Sequence, residues 1–584
     1  MTSGHQSTSP GARDGIIRAY KEHQDLLIFA LTGRTGSGCT TAANLLSGVY
    51  DHELALNFGP TAPELRKHKI VTNFAEKNWT PFTKVTVSSL LIALLADAME
   101  RDEELKVPTV YDQALDTVKP LLNEFIRENS TFLRLLSLPG VDFLAAMESQ
   151  AEYAVRVITH ELPVLLSRFK DLLGDSYSSF MQTVGDNVRS SGNPCVPTPN
   201  PNNLFRLPQA IVRSIECIRE NDKVKNNPTR IVVDAIRNPL ELVYLRDRYS
   251  SLYAIAVTAN EDDRRDRLHA AGLSQALIDE LDKREYPEKH DPLSTYQTLI
   301  TQDIQSCLQK ADIFVSNLGA HAATKSRRRA SNAHLYSQLL RYYALALHPG
   351  LVTPTRDERC MQVALVAKLN SGCISRQVGA AVTDDNFVVR AIGWNDVPRG
   401  QVPCALRNVD ELSIARDQVA YSEYERTNDT LRTHIFEIHE KRQKLASVGL
   451  PCSYCFKDAA NKSVFAQGRL AVKGTNQVHT RSLHAEENAF LQLTSGAGPS
   501  IRGGRLFTTA SPCELCSKKA YQLGIADIVY IDPYPGISIP QVLMTGEEDA
   551  RPRLRLFHGA VGKAYHRLYE AMLPIKDEIA ARLQ

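Results

Sequence analysis

The sequence predicts an α/β protein of two domains. Two observations carry this: short apolar runs of strand length recur between longer helical stretches in both halves, and each half has a glycine- or cysteine-marked motif at the end of such a run. With 584 residues, 43% of them apolar, the chain is several times single-domain size and can fill separate cores. The expected divisions are a tail over 1–20, a first domain over 21–320, a basic linker over 321–335 and a second domain over 336–584.

The first elements follow in order. Met1 to Gly15 is small and polar without an apolar stretch, so a floppy tail is expected there and not a signal peptide. Leu26 to Thr32 reads as a buried strand, and it runs into Gly33-Arg34-Thr35-Gly36-Ser37-Gly38-Cys39-Thr40 and a helical stretch from Thr41. Strand, glycine loop and helix form the context in which backbone N–H groups cradle phosphate at a helix N-terminus. Gly33, Gly36 and Gly38 would let the backbone approach, and Thr40 would ligate Mg(2+). Cys39 stands where the phosphate-loop pattern has its lysine, so nucleoside triphosphate binding is expected without efficient phosphoryl transfer; Arg34 is the only nearby substitute cation. A glycine turn with no ligand is the competing reading.

Between this loop and residue 230 the pattern is mostly helical, interrupted by a Pro/Asn/Gly/Ser-rich surface loop from Ser190 to Asn203. Leu90 to Ala96, a notable apolar run, is far shorter than a bilayer span, and no membrane partner is expected. Arg230 to Asp234 then reads as a buried strand closing on an acid, Leu252 to Ala259 as another, and Ala311 to Asn317 as the last. Asp262-Asp263-Arg264-Arg265-Asp266-Arg267-Leu268 follows the second of these. The series resembles small nucleotide and cofactor kinases, which implies a P-loop kinase-like parallel sheet with helical insertions, Asp234 at a magnesium-bound phosphate, and the arginines in a lid. A solvated, salt-bridged helix face is the equal alternative for Arg264, Arg265 and Arg267. The basic run Lys325 to Arg329 reads as linker, with nuclear targeting or RNA contact as the lesser reading.

The second half is the more specific. His484-Ala485-Glu486 is followed by Pro512-Cys513-Glu514-Leu515-Cys516, the first cysteine 29 residues beyond the histidine. One imidazole and two thiolates at C-x-x-C spacing supply three ligands for a catalytic Zn(2+) and leave a position open: His484, Cys513 and Cys516. Glu486 is then free to move protons. Alone, C-x-x-C also fits a structural zinc knuckle or redox pair, and His-x-Glu a helix surface. Jointly they look like a zinc-dependent cytosine deaminase, the glutamate serving as acid and base.

Upstream, Ser371 to Val382 and Gly393-Trp394-Asn395-Asp396-Val397-Pro398-Arg399-Gly400 resemble the deoxycytidylate (dCMP-type) deaminases, with Trp394 for the usual tyrosine and Asp396 for a glycine. The resemblance covers about 355 to 540. It implies a cytidine-deaminase-like α/β/α domain, Asn395 on the sugar, Arg376 near the phosphate and Tyr534 near the substrate. Gly393 and Gly400 also fit plain turn glycines. Some members of that family carry an additional structural zinc, for which Cys404, Cys452, Cys455 and His479 are the candidate ligands here; reduced, packed cysteines are the alternative. Asn408 to Gly449 reads as a long charged helix or helix pair inserted in this domain, structural or oligomeric in role.

Eleven cysteines, an odd and scattered total, point to a reducing cytoplasm, and a net charge of +2 shows no basic excess demanding a nucleic-acid backbone. The pairing of the two domains resembles the bacterial anti-phage dCTP/dCMP deaminases. That resemblance implies deamination of free deoxycytidine nucleotides, depletion of dCTP, regulation by the N-terminal domain, an inhibitory partner that is RNA or protein, and a homo-oligomer. Three other readings stay open: a nucleic-acid cytosine or adenine deaminase, a bifunctional nucleotide kinase-deaminase, and a nucleotide-sensing protein whose deaminase is vestigial.

Overall fold

The computed structural model describes residues 11–55, 61–101, 109–285, 296–317, 325–413, 417–446, 448–466, 480–494, 500–532 and 538–583. The chain forms two compact units, one made of residues 1–353 together with 563–584, the other of 354–562.

In the first unit five strands lie in the order β5-β4-β1-β3-β2. They are β1 (Leu26–Thr32), β2 (Thr83–Thr86), β3 (Thr229–Asp234), β4 (Leu252–Thr258) and β5 (Ile313–Ser316). Every pairing among them is parallel, with Ile28 opposite Ile231 and Leu252. The central strands are buried on both faces, as their unbroken apolar runs require. Between β2 and β3 the chain makes a block of helices that begins with Val87–Glu100. The apolar run inside this helix is fully buried, Leu90 to Ala96 packing against Leu122, Phe132 and Ile215 in one core. Among the described residues no helix is long and apolar enough to cross a membrane.

Three stretches differ from the expected divisions. Helix Ala12–His23 lies within the expected tail and buries Tyr20. Helix Lys325–Leu347 runs through most of the expected linker, because Leu335, Tyr336, Leu339, Leu340 and Tyr343 recur at helical spacing and are buried. The last residues belong with the first unit, where Glu578 accepts from Tyr20 Oη at 2.9 Å and meets His348 Nε2 at 3.0 Å.

The second unit is a mixed sheet in the order β10-β9-β8-β6-β7. Its strands are β6 (Gly379–Thr383), β7 (Val389–Trp394), β8 (Arg505–Ala510), β9 (Asp527–Asp532) and β10 (Arg553–Leu556). β6 is antiparallel to β7 and β8, whereas β8, β9 and β10 are parallel. Helix Arg356–Lys368 covers one face, opened by a Thr355–Glu358 capping box. Helices Ala485–Thr494 and Glu514–Gln522 cover the other, packing Ala485, Ala489 and Ala520 on Val382, Leu506 and Ile528. Among the described residues the charged insertion forms three helices, Val409–Ser413, Glu423–Thr427 and Asp429–Ala446, around a core of Leu412, Tyr421, Leu431 and Tyr454. At its centre Arg407 and Glu425 are fully buried and 2.7 Å apart.

Candidate active site at two helix N-termini

His484 immediately precedes helix Ala485–Thr494, and its carbonyl accepts the first helical bond from Asn488 N–H at 2.8 Å. Cys513 is the N-cap of helix Glu514–Gln522, and Cys516 lies in that helix's first turn. The ligand atoms are thus carried by two helix starts, whose free N–H groups and dipoles favour thiolate over thiol.

These helices can reach the sheet because Gly393 has no side chain. A Cβ there would lie 2.1 Å from Ala485 O and 2.5 Å from Ala489 N. Gly393 is therefore a strand residue at a close helix crossing, not a turn glycine.

His484 Nδ1 is 3.2 Å from Cys513 Sγ and 3.6 Å from Cys516 Sγ. Nitrogen and sulfur ligands of one tetrahedral zinc lie about 3.5 Å apart, so the three donors fit the ion in both chemistry and spacing. Among the described residues they are the one such group of three or more histidine, cysteine or acidic side chains. The Cys513 thiol is pulled well down by its hydrogen bonds with Cys516 and His484, and Cys516 is pushed up by Cys513 and by burial.

Glu486 is 4% exposed and points its Oε1 at Thr508 Oγ1, which donates at 3.1 Å from the middle of β8. Burial pushes its carboxyl above the usual range. Glu487, next in sequence, does different work: it accepts from Lys519 on the facing helix and from His484 N–H at 3.4 Å, tying the two ligand-bearing segments together.

Asn395 follows β7 and is buried; its Oδ1 accepts from Val378 N–H at 2.6 Å, and Ser371 Oγ donates to its carbonyl at 3.0 Å. The backbone thus holds the side chain by its oxygen, and its amide nitrogen has no partner among the described residues. Asp396 bridges to Leu483 next to the histidine ligand and accepts from Trp394 Nε1 at 3.1 Å, so both departures from the dCMP-type pattern engage each other. Arg376 pairs with the buried Asp532 at the end of β9, 3.0 Å away. Tyr534 and His479 lie outside the described residues. Cys404, Cys452 and Cys455 do not gather into a three-ligand group, and Cys404 Sγ instead accepts from Arg407 Nη2 at 3.3 Å.

Sequence reasoning missed Thr508 and Asp532. Their signals were a hydroxyl in the buried middle of β8 and a carboxylate closing the buried strand β9, where an unpaired polar group is costly.

Residues 462–532, which include all three ligands and Glu486, match the model of the cytidine and deoxycytidylate deaminase zinc-binding region. The second unit carries a deaminase zinc-binding region. The deoxycytidylate deaminase of Schizosaccharomyces pombe is 26% identical over 253 residues, 41% of this chain and 58% of that one. The chain therefore spans little more than half the length of that relative. The deoxycytidylate deaminase of Enterobacteria phage T2 is 27% identical over 174 residues, 30% of this chain and 78% of that one. Among solved structures, the dCMP deaminase from cyanophage S-TIM5 in apo form aligns at 21% identity over 35% of this chain and 100% of that chain, with a TM-score of 0.20. A score that low adds nothing to the fold read from the sheet order itself.

In the first unit the glycine loop joins β1 to helix Cys39–Ser47, with Gly33 at its start and Gly36 and Gly38 at φ of +86° and +109°. Glycine is favoured at position 38 by its left-handed φ, and a Cβ there would displace the Asn317 amide, whose Nδ2 would lie 2.0 Å away. Thr40 hydrogen-bonds Asp234, the buried acid at the end of β3, whose carboxyl burial pushes up. Arg34, the expected substitute cation, is engaged by Glu261 at 2.6 Å and Asp282 at 2.7 Å. Arg264 and Arg267 do not form a solvated face. Arg264, 1% exposed, donates to Thr35 O at 3.1 Å, and Arg267 donates to Gly36 O at 3.0 Å; Arg265 alone points outward.

Proposed function

We propose that this protein hydrolytically deaminates a free deoxycytidine nucleotide, dCMP or dCTP, to the deoxyuridine nucleotide. The observation that carries the reading is the convergence of His484 Nδ1, Cys513 Sγ and Cys516 Sγ beside a buried glutamate that is not one of the ligands. Zinc held by such a set acts as a Lewis acid that makes water nucleophilic near neutral pH. Glu486 would carry both protons of the attacking water in turn, one to the ring nitrogen as the C4–O bond forms and one to the amine as the C4–N bond breaks and ammonia leaves. Its raised carboxyl pKa suits a group that must hold the proton part of the time. Thr508 fixes which carboxylate oxygen is free for this. Asn395, held by its oxygen, offers its amide nitrogen to the sugar, and Arg376, oriented by Asp532, is assigned to the phosphate.

The first unit serves in this reading as a nucleotide sensor. Its glycine loop binds a nucleoside triphosphate with Thr40 and Asp234 at Mg(2+), and the bound state regulates deamination, which depletes dCTP during phage infection. Purified protein incubated separately with dCMP, dCTP, CMP and a cytosine-containing oligonucleotide, with products separated chromatographically, tests the assignment. Turnover of the oligonucleotide in place of the free nucleotides would move the protein to the nucleic-acid deaminases. Phosphorylation of a nucleoside monophosphate by the unmutated chain would make it bifunctional.

A further inference from the structure

We propose that Glu285 is an internal anion that occupies the phosphate cradle of the glycine loop, and that an incoming nucleotide polyphosphate must displace it. The inference rests on the phosphate-binding reading of that loop and specifies what its resting state is.

Glu285 ends helix Gln275–Glu285 and its side chain is fully buried. Its carboxylate accepts from Thr35 N–H at 2.9 Å and also from the Thr35 hydroxyl. Arg237, just beyond β3, completes the arrangement: Nη1 donates to Glu285 Oε1 at 2.8 Å and to Thr35 Oγ1 at 3.1 Å. A loop amide, a hydroxyl and a guanidinium converging on two carboxylate oxygens are the donors that phosphate oxygens would take.

The rest of the loop is sorted by polarity in the same way. Its carbonyls are taken by donors, Thr35 O by Arg264, Gly36 O by Arg267 and Ser37 O by Asn317 Nδ2 at 2.9 Å. The amides of Gly36, Gly38 and Cys39 make no hydrogen bond among the described residues. Thus the acceptors are satisfied from within the chain, while the amides of Gly36, Gly38 and Cys39 remain for an anion; Thr35 N–H is claimed by Glu285 and Ser37 N–H by Arg34 O at 2.9 Å.

Arg237 also answers the question left by Cys39. The buried thiol cannot supply positive charge, and Arg34 is tied to Glu261 and Asp282. Arg264 and Arg267 reach the loop's carbonyls, whereas Arg237 reaches the Thr35 hydroxyl on the side where the anion sits, and in the resting state Glu285 neutralises it. Phosphate that takes Thr35 and Arg237 releases Glu285 and the helix that ends in it, which gives the site two discrete arrangements.

The test uses the full-length, zinc-loaded protein and MgATP, a purine nucleotide, with binding measured by isothermal titration calorimetry. Glu285→Gln keeps the shape and an acceptor but removes the competing charge. It should bind MgATP at least about tenfold more tightly than wild type, which corresponds to about 1.4 kcal/mol. Arg237→Gln added to that variant should reverse the gain. Glu285→Asp, one methylene shorter, should tighten binding by less and serves if the glutamine variant does not fold. Equal or weaker binding by the Glu285 variants, with measurable binding by wild type, overturns the proposal and leaves the phosphate-loop reading standing. Absence of binding of both MgATP and inorganic triphosphate in every variant overturns both.

Discussion

Replacing Glu486 with glutamine removes the proton carrier and leaves the site's shape. The side chain is 4% exposed, and glutamine Oε1 can still accept from Thr508 Oγ1 across the present 3.1 Å, so the fold should lose less than about 1 kcal/mol. None of the three ligand atoms is touched, and the purified variant should retain about one zinc per chain. The catalytic loss is of another size. Proton transfer by a positioned side chain contributes roughly 10²–10⁴. Because Glu486 is assigned both the removal and the delivery of the proton, we expect the upper end, a fall in kcat of roughly 10⁴, or about 5.5 kcal/mol at 1.36 kcal/mol per tenfold. Zinc is measured by atomic emission, thermal stability by calorimetry, and turnover of dCMP and dCTP by chromatography. A variant that keeps zinc and melting temperature yet turns over within tenfold of wild type would refute the assignment.

Cys513→Ala should lose the metal, leaving two protein ligands, with zinc content falling below half an equivalent and activity falling with it. Gly393→Ala should push helix Ala485–Thr494 off the sheet, because the added carbon would lie 2.1 Å from Ala485 O; lower zinc affinity and a lower melting temperature are expected, and an unchanged zinc dissociation constant would count against the close crossing. Glu425→Ala strands the fully buried Arg407 and should cost about 3–5 kcal/mol by denaturant titration. Burial raises the Glu425 carboxyl, but Arg407 together with the hydrogen bonds from Tyr454 and Ser422 N–H holds the group below its usual 4.5, so this stabilisation is present above pH 4.5 and is lost as pH falls through the folded value. Asp234 has the opposite sign: burial raises its carboxyl, so the ionised group disfavours the fold as pH rises through that value, and Asp234→Asn should raise the melting temperature at neutral pH while losing magnesium-dependent nucleotide binding.

The candidate site was legible because its signals are local. His484 and Glu486 are two residues apart, Cys513 and Cys516 three, and each pair needs only one helix start to be aimed. The parallel strands of the first unit were legible for a related reason: a strand buried on both faces must be apolar through its interior, as Leu26 to Leu31, Ile231 to Val233, Leu252 to Val257 and Ile313 to Val315 are. What escaped were choices of partner across long sequence separation. Gly393 looks like a turn glycine until Ala485 arrives against it. Arg264 and Arg267 read equally as a solvated face, since nothing nearby in sequence tells that the carbonyls of Thr35 and Gly36 lie within reach. Strand β2, four residues with one buried position, has too little pattern of its own and is defined by β3 beside it.

The first unit is written in two pieces, and the second unit is spelled out between them. A ribosome moving at 5–20 residues per second needs roughly 10–40 s to traverse the roughly 200 intervening residues. During that interval Tyr20 and His348 exist without Glu578, and helix Ala12–His23 lacks the segment it packs on. The deaminase unit, contiguous in sequence, can close around its own strands first. Synthesis therefore imposes an order in which the second unit is complete before the first, and a chain truncated shortly after residue 562 would carry His484, Cys513 and Cys516 without a finished first unit.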